Sequence, residues 1–288
     1  MTDQHIADAS LEVRYSGGVP SPDALAERTR RFGSWYFTEH MLVAARAWLS
    51  STLMAAVGNP LVYLLAMGLG LGAAVSEGTG LVDGVSYLVF VAPALLVSTV
   101  VMSVMGEVTY PVMGGFTWNR TYYAAAASPL TPRQIALGHF WSVLLRFVWQ
   151  GAVFYLIMVV FSASPSPWGW LLIGVGMLTA ASVGGPVMAL AASREDSMSP
   201  AFTLIQRFVI MPMFLFAGTF FPLEAMPIYL RWIGWVSPIW HGTQLGRVAS
   251  YGALVPGWLL VVHVVFLLAT AAAGVWAAVL VFERRLTT

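Results

Sequence analysis

The sequence predicts an all-α polytopic membrane protein, and three observations carry that prediction. Hydrophobic residues make up 58% of the chain and charged residues 9%, with a mean hydropathy of +0.77. A soluble domain carries roughly a quarter charged residues, so one aqueous core cannot account for so apolar a chain of 288 residues. Six stretches reach the roughly 20 apolar residues that a membrane-crossing helix needs. The arginines, finally, fall almost entirely on one side of those stretches.

The first fifty residues contain acidic side chains and the cluster Arg28, Arg30, Arg31. They lack an apolar core followed by a small-residue cleavage site, so no signal peptide is expected. Residues 1–34 read as a cytoplasmic segment. Across 21–51 a Ser-Pro helix start leads into a basic stretch and then Trp35, Tyr36, Phe37 and Trp48 among polar residues. That pattern suits an interfacial amphipathic helix, placed over 35–50, on the cytoplasmic face. A helix packing on the protein itself is the other reading.

Six spans are expected at Ser51–Gly72, Val85–Met105, Phe140–Phe161, Trp168–Ala192, Pro200–Phe221 and Val255–Phe282. The fourth and fifth are separated by the polar turn Ser193–Ser199, and residues 283–288 form a tail. With the N-terminus inside, ten arginines (14, 28, 30, 31, 46, 120, 133, 194, 284 and 285) fall on the cytoplasmic side and two, Arg231 and Arg247, outside. The positive-inside rule therefore places both termini in the cytoplasm. Ser-Pro pairs at 21–22, 128–129, 164–165, 166–167, 199–200 and 237–238 suit helix starts, because serine caps the first turn and proline fits into it.

Between the second and third spans, residues 107–139 are too polar to cross a membrane and too apolar for a flexible linker. Tyr110, Phe116, Trp118, Tyr122 and Tyr123 alternate there with turn formers, and Ser128-Pro129 is expected to open a helix running into the third span. The segment suits a docking surface for a cytoplasmic partner, or a loop packed on its own helices. In the fourth span Gly176, Ala180 and Gly184 form a stripe that lets helices approach closely.

Arg146 and Arg207 lie inside spans. Each can extend back to the headgroups or meet an anionic group of a substrate. After the fifth span, Gly218, Pro222 and Pro227 break the chain and admit Glu224, and Trp232, Trp235 and Trp240 follow. Up to Pro256 this reads as short re-entrant helices on the outer side, which require protein to cover their backbone ends.

Several chemistries are excluded. The chain has no cysteine, and all fourteen of its basic residues are arginine. Thiolate metal sites, disulfides, Schiff-base lysines and a P-loop lysine are therefore absent. No carboxylate sits well inside a span, which argues against an ion-coupled carrier. An integral-membrane enzyme acting on a lipid-linked substrate would need convergent carboxylates, histidines or a serine triad, and only scattered singles such as His263 occur. No metal site and no nucleic-acid surface is expected.

The residues that remain resemble the permease subunits of type 2 ABC exporters, which move polysaccharides, nodulation factors, teichoic acids and antibiotics. The likeness rests on the order of an interfacial helix and six spans, on Arg120-Thr-Tyr-Tyr with Ala127-Ser-Pro129-Leu-Thr-Pro132, and on Ala217-Gly218 through Pro222 to Pro227 with Ser237-Pro238 and Arg247. It covers roughly residues 35–285, and the nodulation-factor branch looks nearest, in the run LVFVAPALLVST at 88–99. The family often has serine at Ala217 and asparagine at Ser237, so this chain departs from it there.

The resemblance implies the membrane half of a transporter in the bacterial inner membrane. It would pair with a second permease copy, identical or paralogous, and with two copies of a separate ATPase that holds ATP and magnesium; this chain would bind no cofactor. The cargo would be amphipathic: a lipid-linked glycan, a glycolipid or a hydrophobic drug. Glu107, Arg120, Tyr122, Pro129 and Thr131 would lie toward the ATPase. Gly218, Phe221, Pro222, Glu224 and Pro227 would form an outer gate.

Overall fold

The computed structural model describes residues 21–72, 80–194 and 201–287. Residues 1–20 with Arg14, and most of the turn at 193–199 with Pro200, lie outside the described residues. Everything described is helical apart from turns and one isolated bridge between Val82 and Val85.

Helix α1, Pro22–Ala45, starts well before residue 35 because Ser21 caps it, its side chain accepting from the Ala24 amide with Pro22 in the first turn. A 3₁₀ turn at Arg46–Trp48 leads into α2, Leu49–Leu65, which continues as a π-helical stretch over Ala66–Leu71. Helix α3, Tyr87–Val108, runs three residues past the expected span. It breaks at Thr109 (φ −95°, ψ −98°) and resumes as α4, Tyr110–Phe116.

The segment expected to be a loop is thus mostly helix. After α4 comes α5, Thr121–Ala126, entered through Arg120 in the left-handed region at φ 50°. Helix α6, Pro132–Val160, is opened by Thr131-Pro132 and not by Ser128-Pro129. Thr131 accepts from the Gln134 amide while Gln134 Oε1 accepts from the Thr131 amide, a reciprocal capping box. Ser128 instead donates its hydroxyl to the Ala125 carbonyl, closing α5.

Helix α7 is Leu171–Ser193. The fifth apolar segment is broken into α8, Ala201–Ile205, a π turn at Gln206–Ile210, and α9, Met211–Phe216, ending five residues before Phe221. Short turns at Leu223–Ala225 and Ile228–Leu230 precede α10, Arg231–Val236, and α11, Pro238–Tyr251. Helix α12, Gly257–Thr287, closes the chain.

Among the described residues, four helices are long and apolar enough to cross a membrane: Tyr87–Phe116, Pro132–Val160, Leu171–Ser193 and Gly257–Thr287. Shorter apolar helices, Ala56–Gly68 and Phe202–Phe216, stand where the first and fifth spans were expected. Helix α3 is the centre of the bundle, buried along most of its length against α6, α7 and α11. Small residues set the distances. A Cβ at Gly176 or Gly184 would press on Leu96 or Val104 of α3, so the expected stripe faces that helix. Gly185 approaches the backbone of α12 at Val275, and Gly274 lies against Pro186. Helix α11 meets α7 through a second small pair, Gly242 and Gly246, against Thr179 and Leu172.

Candidate coupling and outer-gate sites

At one end of the bundle the elements converge on Tyr122. It is buried with 1% exposure, and its ring lies 4.7 Å from that of Phe116, 4.9 Å from Phe282 of α12 and 6.3 Å from Phe37 of α1. Burial raises the phenol above its ordinary pKa, so the group stays protonated. It lies 3.1 Å from His139 Nδ1 on α6, where a protonated phenol donates and Nδ1 accepts. Arg285 places its guanidinium 4.4 Å from the centre of the Phe116 ring. It also donates to the Ala192 and Arg194 carbonyls at the end of α7. Gln134 reaches the Thr29 and Arg30 carbonyls of α1, and the Thr38 hydroxyl donates to the Gly138 carbonyl of α6. Helices α1, α4, α5, α6, α7 and α12 are thereby fastened into one block.

The residues expected to face a partner divide into two sets. Arg120, Pro129 and Thr131 are exposed on the turns around α5, beside the exposed rings of Trp118 and Tyr123. Tyr122 and Phe116 point inward and hold those turns in place. Glu107, in the last turn of α3, is not on that surface: its carboxylate accepts from Arg146 on α6 at 2.8 Å. The sequence reading did not anticipate this ion pair, which joins residues 39 positions apart. Arg207 is exposed on the π turn and has no partner among the described residues.

At the other end Gly218 takes φ +71°, a conformation open to glycine at little cost, and the chain reverses there. Its carbonyl accepts from Arg247 of α11 at 2.6 Å. Arg247 is 2% exposed, lies 3.7 Å from the centre of the Phe90 ring on α3 and makes a longer contact to the Phe90 carbonyl. Tyr87 donates to the Phe220 carbonyl, and the Thr219 hydroxyl to the Phe214 carbonyl. Leu223 and Met226 are the buried pegs of the segment after Pro222, and Gly234 leaves room for Leu223. Arg231 clasps the turn by donating to the Glu224 and Met226 carbonyls. The Glu224 side chain, like Phe221 and Pro227, is exposed. A cavity of 410 Å³ lies beneath, lined by Glu224, Arg231, Trp235, Trp240, Gln244 and Arg247 among others.

Sequence reasoning placed Arg247 in a motif without giving it a role. The signal that could have found one is its company, since a lone arginine in a mostly apolar helix must meet carbonyls or a ring. His263 is not isolated either. Its Nδ1 lies 2.7 Å from His241 Nδ1, and His241 Nε2 lies 3.0 Å from the Trp235 carbonyl. A neutral His241 that donates from Nε2 leaves Nδ1 to accept from His263, so the pair locks α11 to α12. Among the described residues, no group of three or more His, Cys, Asp or Glu could hold a metal ion.

A bundle of long apolar helices, with a fastened helical elbow at one end and a capped set of short helices at the other, defines a multi-pass membrane protein. The chain belongs to the ABC-2 type transporter family, which matches residues 40–251. It is 30% identical over 216 residues to Nodulation protein J of Rhizobium leguminosarum bv. viciae, covering 72% of this chain and 78% of that one. Nodulation protein J of Sinorhizobium fredii is 26% identical over 246 residues, 83% of this chain and 90% of that one. The probable multidrug ABC transporter permease YbhR of Escherichia coli K12 is 25% identical over 180 residues, 56% of this chain and 43% of that one. The protein is therefore a bacterial membrane permease of an ABC exporter system, a transport subunit and not a catalytic one.

Proposed function

We propose that two copies of this permease, or one with a paralogue, work with two copies of a separate ATPase to move an amphipathic substrate out of the cytoplasm or inner leaflet. The observation that carries this reading is the aromatic block around Tyr122. It ties the exposed Arg120–Thr131 turns to the ends of α1, α6 and α12, so a push on those turns moves long helices and not a loose loop. Arg120, Pro129 and Thr131 are the contact residues in this scheme, with Tyr122 as their rigid backing. Glu107 acts one step inward, by holding α3 to α6.

The arrangement of charge supports an orientation with this block in the cytoplasm. Arg28, Arg30, Arg31, Arg46, Arg120, Arg133, Arg194, Arg284 and Arg285 belong to elements whose ends meet there. The Gly218–Pro227 turns then face outward and form the exit gate, with α10 and α11 dipping between long helices. A 290 Å³ groove bordered by α2, α3 and α9 carries Asn59, Ser98, Thr99 and Ser103 between apolar side chains. The α2 and α8–α9 segments both contain π turns, a feature frequent at functional sites. The groove is our choice for the path, completed by the second copy. Its mixed polar and apolar lining favours a cargo with both polar and apolar parts.

The test is co-expression with a Walker-type ATPase subunit. Co-purification and ATP hydrolysis that depends on this chain are expected. Transport by the purified permease alone on an ion gradient would overturn the reading.

A further inference from the structure

The largest cavity described, 660 Å³, is neither the outer gate nor the groove. It lies between α1, α4 and α6, and Glu107, Arg146, His139 and Arg46 line it together with Leu145 and Trp149. Its volume is that of a small-molecule site, and its wall is divided. Met41, Leu42, Leu145, Phe147 and Trp149 supply its apolar part. Its polar part includes the Glu107–Arg146 pair, whose side chains remain 34% and 21% exposed. Arg46 is exposed at the end of α1 with no carboxylate in contact among the described residues. The ionised groups of the wall therefore sum to an excess of positive charge. His139 lies at the back of this wall, with Nδ1 turned to Tyr122 and its ring buried.

The depth of the cavity narrows what it can take. Helix α6 has 29 residues, about 43 Å at 1.5 Å per residue, against about 30 Å of hydrocarbon. Exposed Trp168 and Trp170 mark the outer boundary just beyond its C-terminus. The excess, roughly nine residues, therefore lies at the N-terminal end, which puts Arg146 about 8 Å inside the inner boundary. An arginine at that depth reaches the level of the lipid phosphates.

We propose that this cavity binds the phosphate headgroup of an anionic lipid from the inner leaflet, with its chains along Leu145 and Trp149. Arg146 and Arg46 hold the phosphate, and Glu107 competes with it for Arg146. The inference needs the inside-facing orientation argued above, but neither the ATPase nor the identity of the cargo.

Competition for Arg146 gives the two partners of the ion pair opposite effects. Native mass spectrometry of the purified full-length chain in detergent, titrated with phosphatidylglycerol and with phosphatidylcholine, reads both. One phosphatidylglycerol should be retained at least tenfold more tightly than phosphatidylcholine, the scale of one charge-assisted hydrogen bond. Glu107→Gln should tighten it by roughly threefold or more, and Arg146→Gln or Arg46→Gln should weaken it by a similar factor. Arg231→Gln, at the opposite end, should change nothing. Equal retention of the two lipids overturns the proposal, as does a shift in the same direction, or none, for Glu107→Gln and Arg146→Gln. Displacement of the lipid by millimolar inorganic phosphate assigns the site to a free anion and also overturns it. If Arg146→Gln does not accumulate, Glu107→Gln decides alone, because it leaves no unpaired carboxylate: weaker or unchanged retention refutes the competition.

Discussion

Replacing Arg247 by methionine should release the turn at Gly218. The guanidinium donates to the Gly218 carbonyl at 2.6 Å and stacks 3.7 Å from the centre of the Phe90 ring, in a site with 2% exposure. A hydrogen bond to a charged group contributes about 1.5–3 kcal/mol and a desolvated cation–π contact up to about 2 kcal/mol. Removing a buried cation also recovers part of its burial cost, so the net loss should be about 2–4 kcal/mol. The Phe90 carbonyl lies in the first turn of α3 and keeps its place in that helix, whereas the Gly218 carbonyl is left bare. The natural absence of cysteine provides a local assay. Thr219 is fully buried in the turn, so a Thr219→Cys side chain reacts with a membrane-impermeant maleimide only when the turn opens. At about 1.4 kcal/mol per factor of ten, Arg247→Met should speed that reaction by roughly 30-fold to 1,000-fold. Arg247→Lys should give an intermediate rate, since an ammonium keeps the charge without the planar fork. A rate within about threefold of the parent for Arg247→Met would refute the assignment of Arg247 as the clasp.

Further outcomes follow from other contacts. Gly274→Ala places a methyl on Pro186 of α7; overpacking at a backbone contact should cost about 1–3 kcal/mol or more, read as a lower thermal midpoint and a smaller folded yield. Thr131→Ala removes the capping box of α6 and should cost about 1 kcal/mol, with no change in lipid retention. Tyr122→Phe keeps the packing but leaves His139 Nδ1 unpaired in a buried site, an expected loss of about 1–3 kcal/mol; Tyr122→Ala should in addition abolish permease-dependent ATP hydrolysis while co-purification persists. For orientation, single cysteines at the exposed positions Ala225 and Thr121 should react with an impermeant reagent from outside and from inside respectively. The reverse pattern would invert the topology.

Much of this architecture could be read directly. Among the described residues hydropathy located the apolar segments, two of them shorter than the spans expected there, and Ser21-Pro22 marked a helix start. What escaped was whatever depends on partners far apart in sequence. The stretch PVMGGF after Thr109 looks turn-forming because it holds a proline and two glycines. Yet the proline sits in the first turn of α4, where it is tolerated, and Gly115 makes room for the Tyr122 ring. Glu107 looked like a boundary carboxylate and Arg146 like an isolated intramembrane cation. Only the fold shows that each is the other's partner. His263 and His241, 22 residues apart, were hidden in the same way. The early end of the fifth segment was missed for a different reason: hydropathy continues through Ala217–Phe221, and only the left-handed Gly218 tells the helix to stop.

One helix joins the two sites. Helix α3 carries Phe90, under the Arg247 guanidinium, near its N-terminal end and Glu107, gripped by Arg146, near its C-terminal end. The two residues are 17 positions apart, about 26 Å along the helix, with Pro93 between them. With α3 buried along most of its length, a displacement of the elbow at Thr109 is expected to shift or rotate it as a rod, unless Pro93 takes up the motion as a kink. If the rod transmits, freeing its C-terminal end should alter the turn at Gly218. Thr219→Cys reactivity in the assembled complex should then change on Glu107→Gln, and the change should vanish when Arg247 is already methionine. At this separation the two substitutions should add in thermal stability to within about 0.5 kcal/mol. Additivity in stability with non-additivity in gate opening is the signature of a shared moving part, as opposed to a shared contact. Additivity in both measurements would mean that α3 is a passive core helix, and the coupling would have to run through α12.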